Sequence, residues 1–384
     1  MNNKLVARAA MFASVFVVGS LGGCSPSYGD AYEKSFAKAQ RAYHAGRYAE
    51  AAKAFDEAGL VAERVNDRDE AFFLSARMYT KSGGIAEAKA EPEKLIEKSP
   101  DGPNRARAAF ELAYLEIRNN DEDKGYAMLL AATIAYSKNG LARRSVKLVA
   151  AHERDKGGDE AVLAWTKGPA AALKGTEVEE NVAFEAAVAL ENLGRLEEAR
   201  DAYLALAKTF PYPSGSLFDD ALFHASLLEQ KLGRNEAAIE HLRTLLAVRE
   251  TAHLTGSYER PLYSPAQMRI AELYRDVLHD NAAARREFHR FYSSHVTSRN
   301  RDDALWEEAR LANKDGDEDD ACSLVKRLRK EFPESRYSRC ARLLCKDIEP
   351  SPKEHDCAGY IERAVKPENE PGEGDEQSPT TQPE

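Results

Sequence analysis

The 384-residue sequence lacks the short signatures that mark most enzymes. It has no HExxH pair, no GxSxG elbow and no phosphate-cradling glycine loop, so the common marks of zinc proteases, α/β-hydrolases and P-loop proteins are missing. It has no basic stripe either: 54 Lys and Arg stand against 64 Asp and Glu, for a formal charge of −10. Without a basic surface there is little to displace counterions from a polynucleotide, which argues against a nucleic-acid partner. The apolar stretch Ala9–Val18 is about half of the ~20 residues that a membrane-spanning helix needs. Cysteine is scarce and clustered: after Cys24 come Cys322, Cys340, Cys345 and Cys357. The 17, 4 and 11 residues between those four match no CxxC pair of a zinc site, and no metal or cofactor is expected. The last stretch, Pro367–Glu384, has six acidic residues and no Lys, Arg, aliphatic or aromatic side chain. Such a segment cannot bury enough apolar surface to offset its ordering entropy, so 367–384 is expected to be disordered.

The beginning of the chain sets the expected compartment. Lys4 and Arg8 precede the short apolar stretch, and Leu21-Gly22-Gly23-Cys24 follows it, the layout of a secretory signal peptide. A cysteine directly after Leu-Gly-Gly resembles the lipobox of bacterial lipoproteins. That resemblance implies removal of residues 1–23 and acylation of Cys24 by thioether- and amide-linked chains, and several chains make a stable anchor where one does not. It further implies the outer membrane, facing the periplasm, because Ser25 stands where an Asp tends to retain such proteins at the inner membrane. Cleavage removes two basic residues and takes the charge from −10 to −12. Residues 24–30 would be a lipidated linker.

The body is self-similar. A glycine followed five residues later by alanine occurs at Gly46/Ala51, Gly83/Ala88, Gly194/Ala199, Gly233/Ala238 and Gly316/Ala321. Weaker copies stand at Asn120/Gly125, Lys156/Ala161 and His279/Ala284. The steps between turns are 37, 37, 36, 38, 39, 46 and 37 residues, and a constant period of this length marks stacked repeats. Apolar residues recur at three- and four-residue spacing on both sides of each turn, as two half-buried helices require. The glycine suits a helix end because positive φ costs it nothing, and Ala187 and Ala199 let their helices approach. Pro92 falls inside a second helix and is expected to kink or shorten it. The step of 46 leaves room for a longer loop over 250–264.

These residues resemble the tetratricopeptide repeat (TPR): Ala39, Ala42, Gly46, Tyr48, Ala51, Phe55 and Ala58 in the first copy, Ala309, Gly316, Ala321, Leu328 and Pro333 in the last. The resemblance implies an all-α, right-handed superhelix of about eight hairpins over 31–348, its inner surface lined by the first helix of each and suited to peptides or partner domains. A large apolar residue stands ten positions before most turns: Phe36, Phe73, Phe110, Val146, Phe184, Phe223 and Trp306, with Met268 in the longer seventh copy. This column either packs between hairpins or forms an aromatic stripe for a partner, with Tyr43, Arg77, Tyr114, Arg118, Lys231, Arg310 and Lys314 as its rim. Aromatic enrichment at interface hot spots keeps the stripe in play.

Four cysteines beside a secretion signal read as two disulfides that staple the capping segment 349–366. Antiparallel helices around Pro333 bring Cys322 near Cys340 or Cys345, and the Glu349-Pro350-Ser351-Pro352 turn folds Cys357 back. Of three pairings, Cys322–Cys340 with Cys345–Cys357 is the expected one. The acidic run Asp315–Asp320 lacks the glycine and distal glutamate of an EF-hand, and His279, His289 and His295 have no spacing that builds a metal site.

The expected function is that of a lipid-anchored envelope scaffold, not an enzyme, whose partners are envelope proteins or peptides. It looks like the repeat-containing lipoproteins of outer-membrane β-barrel assembly and envelope constriction. The alternatives are a non-catalytic subunit or capture protein in cell-wall or small-ligand processing. A cell-wall lytic enzyme would need a catalytic domain after residue 365, where only the acidic tail stands. Nothing in the sequence decides the oligomeric state.

Overall fold

A computed structural model of the chain describes residues 29–98, 102, 104–119, 121–248, 260–350 and 357–365. The expected signal peptide, Cys24, most of the expected long loop and the acidic residues 367–384 lie outside them. The described elements are all helical, and they fall into two compact units, Met1–Leu141 and Ala142–Glu384. Among the described residues no helix is long and apolar enough to cross a membrane.

The N-terminal unit holds three hairpins: α1 (Asp30–His44) with α2 (Tyr48–Val61), α3 (Val65–Ser82) with α4 (Ile85–Lys98), and α5 (Arg105–Arg118) with α6 (Glu122–Ala135). Each packs on the next through its second helix, α2 on α3 and α4 on α5. The C-terminal unit opens with α7 (Gly140–Lys167), broken by non-helical backbone at Gly157 and Gly158 into the two arms of a fourth hairpin, followed by the 3-10 helix η1 (Pro169–Leu173). Four more hairpins follow: α8 (Glu179–Asn192) with α9 (Leu196–Thr209), α10 (Phe218–Lys231) with α11 (Asn235–Ala247), α12 (Tyr263–Asp276) with α13 (Asn281–Ser294), and α14 (Arg301–Lys314) with α15 (Glu318–Glu331). The 3-10 helix η2 (Arg336–Leu343) and the short α16 (Gly359–Val365) close the end. Each unit is thus a solenoid of helical hairpins, in which a hairpin buries its apolar face only by stacking on its neighbours.

The arms of each hairpin meet through small side chains. Ala39 and Ala51, Ala76 and Ala88, Ala187 and Ala199, Ser226 and Ala238, Ala271 and Ala284, and Ala309 and Ala321 are all buried. In the third hairpin the place of the second alanine is taken by Gly125. A β-carbon there would stand 2.5 Å from Ile117 Cγ1 and 2.7 Å from the Ile117 nitrogen, so even alanine would force the helices apart.

The turns share one hydrogen bond. Arg195 N donates to Leu190 O (3.0 Å), and the same five-residue step recurs from Arg47 to Ala42, Gly84 to Tyr79, Asp121 to Glu116, Arg234 to Glu229, Leu278 to Leu273 and Asp317 to Ala312. This bond closes a helix end, and at Gly46, Gly83, Gly194, Gly233 and Gly316 the residue before its donor turns left-handed; in the seventh hairpin that residue, Val277, has φ −111° and the left-handed residue follows the donor. Gly194 has φ 72° with nothing within 4 Å of where a β-carbon would stand, so it is needed for its backbone alone. In the seventh hairpin His279 carries φ 52°, the one non-glycine at positive φ among the described residues. In the fourth the turn lies at Gly157-Gly158 and not at Lys156, because Gly158 (φ 70°) is the residue free to turn left-handed. Pro92 does not shorten its helix: α4 has 14 residues, as do α2, α6 and α9. One lost N–H is tolerated while the proline ring fills a buried position.

A second device ties each of the last four hairpins to the segment that follows it. Glu180 accepts from Ser216 N (3.1 Å), Ser216 Oγ (2.9 Å) and Leu217 N (2.6 Å). One hairpin on, Asp219 accepts from Arg260 Nε (2.9 Å). Next, Ser264 Oγ meets Ser298 Oγ (2.9 Å), and last, Asp302 accepts from Ser335 Oγ (2.7 Å). All four stand four residues before the apolar column, so the polar tie repeats with the same register as the core.

Two predictions follow from these turns and ties. Gly194→Ala should destabilise the C-terminal unit by about 1–2 kcal/mol through left-handed strain, and His279→Gly should stabilise it by a similar or smaller amount; denaturant melts of both variants would check the opposite signs. Glu180→Ala should cost about 1–2 kcal/mol, since it removes three hydrogen bonds to the half-buried Ser216 and Leu217, and should raise hydrogen exchange at Ser216 and Leu217 before it does so along α9.

Candidate partner-binding face

The apolar column is the inner packing of the hairpins. Phe73, Phe110, Val146 and Trp306 are buried, with Phe110 fully enclosed, while Phe36, Phe184, Phe223, Met268 and Tyr114 are half-buried. Where neighbours are resolved, each aromatic meets the following segment. The Arg107 guanidinium lies 3.9 Å from the centre of the Phe73 ring, Phe184 packs edge-on to His224 at 5.8 Å, and Trp306 stacks on Tyr337 of η2 at 5.0 Å. Phe36 packs within its own hairpin against Phe55 (5.2 Å). Of the two readings of the column, packing between hairpins is the one that the burial of Phe73, Phe110 and Trp306 favours. The 37-residue repeat that aligns these side chains also places the next hairpin over them.

What the first helices of the C-terminal unit present instead is a run of polar cross-links. Glu191 on α8 accepts from Lys231 Nζ (3.1 Å) and pairs with His224 Nδ1 (3.1 Å), both on α10, and takes the Tyr203 hydroxyl (3.3 Å) from α9. Burial pushes the Glu191 carboxyl up, but Lys231 and His224 outweigh it and hold the group below its usual range. On α10, Gln230 Oε1 accepts from Arg269 Nε of α12 (2.8 Å). On α12, Arg275 Nη1 donates to Glu307 of α14 (2.7 Å), which also takes Arg310 Nη2 (2.7 Å). Each first helix from α8 to α14 is thus pinned to the next by a charged or amide side chain.

These cross-linking residues were not singled out in the sequence, apart from Lys231 and Arg310. Their signal is faint: a polar residue in the last two turns of each first helix, with no fixed identity. Of the other rim residues, Tyr43, Arg77, Arg118 and Lys314 are exposed. Tyr114 is half-buried, and its hydroxyl is enclosed without a hydrogen-bond partner.

A recess of about 260 Å³ lies between α11, α12 and α13, lined by Arg243, Tyr263, Gln267, Ile270, Arg290 and His295 among others. Its cations are engaged: the buried Glu287 accepts from Arg290 Nη1 (2.9 Å), Gln267 Nε2 (2.8 Å) and Arg243 Nη2 (3.4 Å). The acidic run is engaged too. Asp317 caps α15 by accepting from Asp320 N (3.3 Å), and Arg285 pairs with Asp317 (3.1 Å) and Asp320 (2.7 Å). His289 pairs with Glu308 (3.2 Å), whose carboxyl burial pushes up against the pull of that histidine. Among the described residues no three His, Cys, Asp or Glu side chains gather as a metal-ligand set.

At the closing end the cysteines are joined as Cys322–Cys345 and Cys340–Cys357, with Cα–Cα distances of 4.7 and 5.1 Å. The expected pairing, Cys322–Cys340 with Cys345–Cys357, is thereby corrected. After Pro333 the chain forms a 3-10 helix and not an antiparallel α-helix. Cys345, just past its end, comes beside α15, while Cys340 within it turns to the side that α16 covers. Ile361 of α16 joins Trp306, Tyr337 and Cys340 in one cluster.

No curated protein matches the sequence. Among solved structures the chain is similar to the C-terminal part of a TPR repeat-containing protein from Cytophaga hutchinsonii, with 12% identity and a TM-score of 0.41 over 70% of this chain and 99% of that one. It is similar to PilF of Pseudomonas aeruginosa, with 16% identity and a TM-score of 0.28 over 71% and 95%. It is also similar to a tetratricopeptide repeat protein from Parabacteroides merdae, with 13% identity and a TM-score of 0.33 over 72% and 97%. At such low identities and TM-scores, nothing about partner, activity or location passes from them to this chain. The family model described as a tetratricopeptide repeat matches residues 182–211 and 303–335, which are the fifth and eighth hairpins, and the chain therefore carries tetratricopeptide repeats.

Proposed function

We propose that this chain is a lipid-anchored scaffold of a bacterial envelope, which holds protein partners on the face built by its first helices. A tetratricopeptide-repeat fold points to protein–protein interaction. The observation that carries the reading is the cross-linked polar face from α8 to α14. Its charged side chains are already held by partners on neighbouring helices, so a binding segment would meet groups that lose little freedom on contact. An open face of this kind suits an extended peptide or a partner domain, whereas a small ligand needs an enclosed, mostly apolar site. The recess beside Arg243 is a poor rival, because Arg243 and Arg290 are both already engaged by Glu287. The envelope location and the anchor rest on Leu21-Gly22-Gly23-Cys24. Oligomeric state forms no part of the proposal.

Photocrosslinking amino acids at the exposed Arg77 and Lys231, on first helices, would be compared in cells with the exposed Lys53 and Lys208, on second helices. The expected result is one abundant envelope protein captured from the first-helix positions alone. Equal capture from all four, or capture only from Lys53 and Lys208, would move the binding face. Cys24→Ser should release the protein from the membrane fraction, and retention of that variant would remove the lipid anchor from the proposal.

A further inference from the structure

The turn between the first and second hairpins carries an apolar cluster that the core does not use. Leu60, Val61 and Val65 are 56%, 44% and 43% exposed, three aliphatic side chains within six residues. The other exposed large apolar residues among those described, Tyr43, Ile134, Leu193, Val277, Val296 and Tyr360, stand singly along the chain. Isolated exposed apolar residues need no explanation, whereas a cluster marks a contact.

The place of this cluster in the fold names its occupant. The described chain begins at Gly29, which lies against the same turn: a β-carbon on it would stand 3.5 Å from Glu63 Oε1. Tyr32, near the start of α1, is buried with Ala58, Ala62 and Ala71 of α2, the turn and α3. Gly29 is five steps along the chain from Cys24, and at full extension five steps span no more than about 18 Å. An acylated Cys24 would therefore keep Leu60, Val61 and Val65 close to the lipid surface.

We propose that this turn is a second membrane contact, in which Leu60, Val61 and Val65 rest in the interfacial layer of the bilayer that holds the acyl chains of Cys24. The inference rests on the lipid-anchor reading above. Tethering makes the contact intramolecular, so a weak apolar interaction suffices. The charges around the cluster do not favour an anionic surface. Glu63 is exposed, and Arg64 is paired with Asp67 at 3.2 Å. The contact therefore depends on apolar burial and not on headgroup charge, and its consequence is an N-terminal unit held at a fixed attitude to the membrane.

The test uses the full acylated protein, purified from envelopes and reconstituted into phosphatidylcholine vesicles with or without brominated acyl chains. Leu60→Trp and, as a second probe, Val65→Trp report burial in lipid. Ile134→Trp on α6, 39% exposed in the wild type, is the control. The native Trp165 and Trp306 are buried and give a constant background. The expected result is that brominated lipid removes most of the emission added at positions 60 and 65 and little of that added at 134, unchanged when anionic lipid is included. Vesicle-bound protein with equal quenching at all three positions overturns the inference and leaves the anchor standing. Protein that fails to float with the vesicles, and carries no acyl chain by mass spectrometry, overturns both. A blue shift at position 60 that grows with protein density, without bromine quenching, assigns the cluster to a second copy of the chain and overturns the membrane contact.

Discussion

The fold depends on how closely two helices of one hairpin can approach at their turn. At that crossing stand Ala39, Ala51, Ala187, Ala199, Ala309, Ala321 and their counterparts, all buried, with Gly125 where even a methyl group has no room. A solenoid gains its stability from contacts within each repeat and with its neighbours, so an enlarged side chain at this crossing would splay a hairpin and disturb the packing on both sides. The left-handed residues at Gly46, Gly83, Gly158, Gly194, Gly233, His279 and Gly316 serve the same end, by reversing the chain before the helices can diverge.

On this seam the chain lays two polar registers. One uses Glu180, Asp219, Ser264 and Asp302 to fasten each hairpin to the beginning of the next. The other uses Glu191, Lys231, Gln230, Arg269, Arg275 and Glu307 to join successive first helices at their surface. The first is buried or half-buried and fixes stacking. The second is half-buried, apart from the exposed Lys231, and gives the first-helix face a set arrangement of charge. The aromatic column lies beneath both, which is why it serves packing more than recognition.

Much of this was legible in the residues themselves. The glycine-alanine spacing placed the turns at 46, 83, 194, 233, 279 and 316, because helix reversal and close packing each demand a residue type that stands out. The fourth turn, read at Lys156, lies at Gly157-Gly158: two adjacent glycines satisfy the backbone without keeping the spacing. Burial of Phe110 and Trp306 could not be separated from exposure, since a periodic aromatic serves core and groove equally well. The disulfide pairing depended on η2 being a 3-10 helix, and its sequence, RYSRCARL, offers no breaker that distinguishes this from an α-helix. The polar cross-links were the least visible, because carboxylate, amide and guanidinium groups exchange roles from one hairpin to the next.

The paired cysteines stand only 23 and 17 residues apart in sequence, less than one repeat period. Both pairs therefore lie in the last stretch of chain, which leaves the ribosome after seven of the eight described hairpins. The closure of the final hairpin is thereby separated in time from the stacking of the others. The two bonds add to the packing of Trp306, Tyr337 and Ile361 and to the hydrogen bonds of Asp302 and Asp303, so the last hairpin is capped by covalent links where the others are capped by a neighbour.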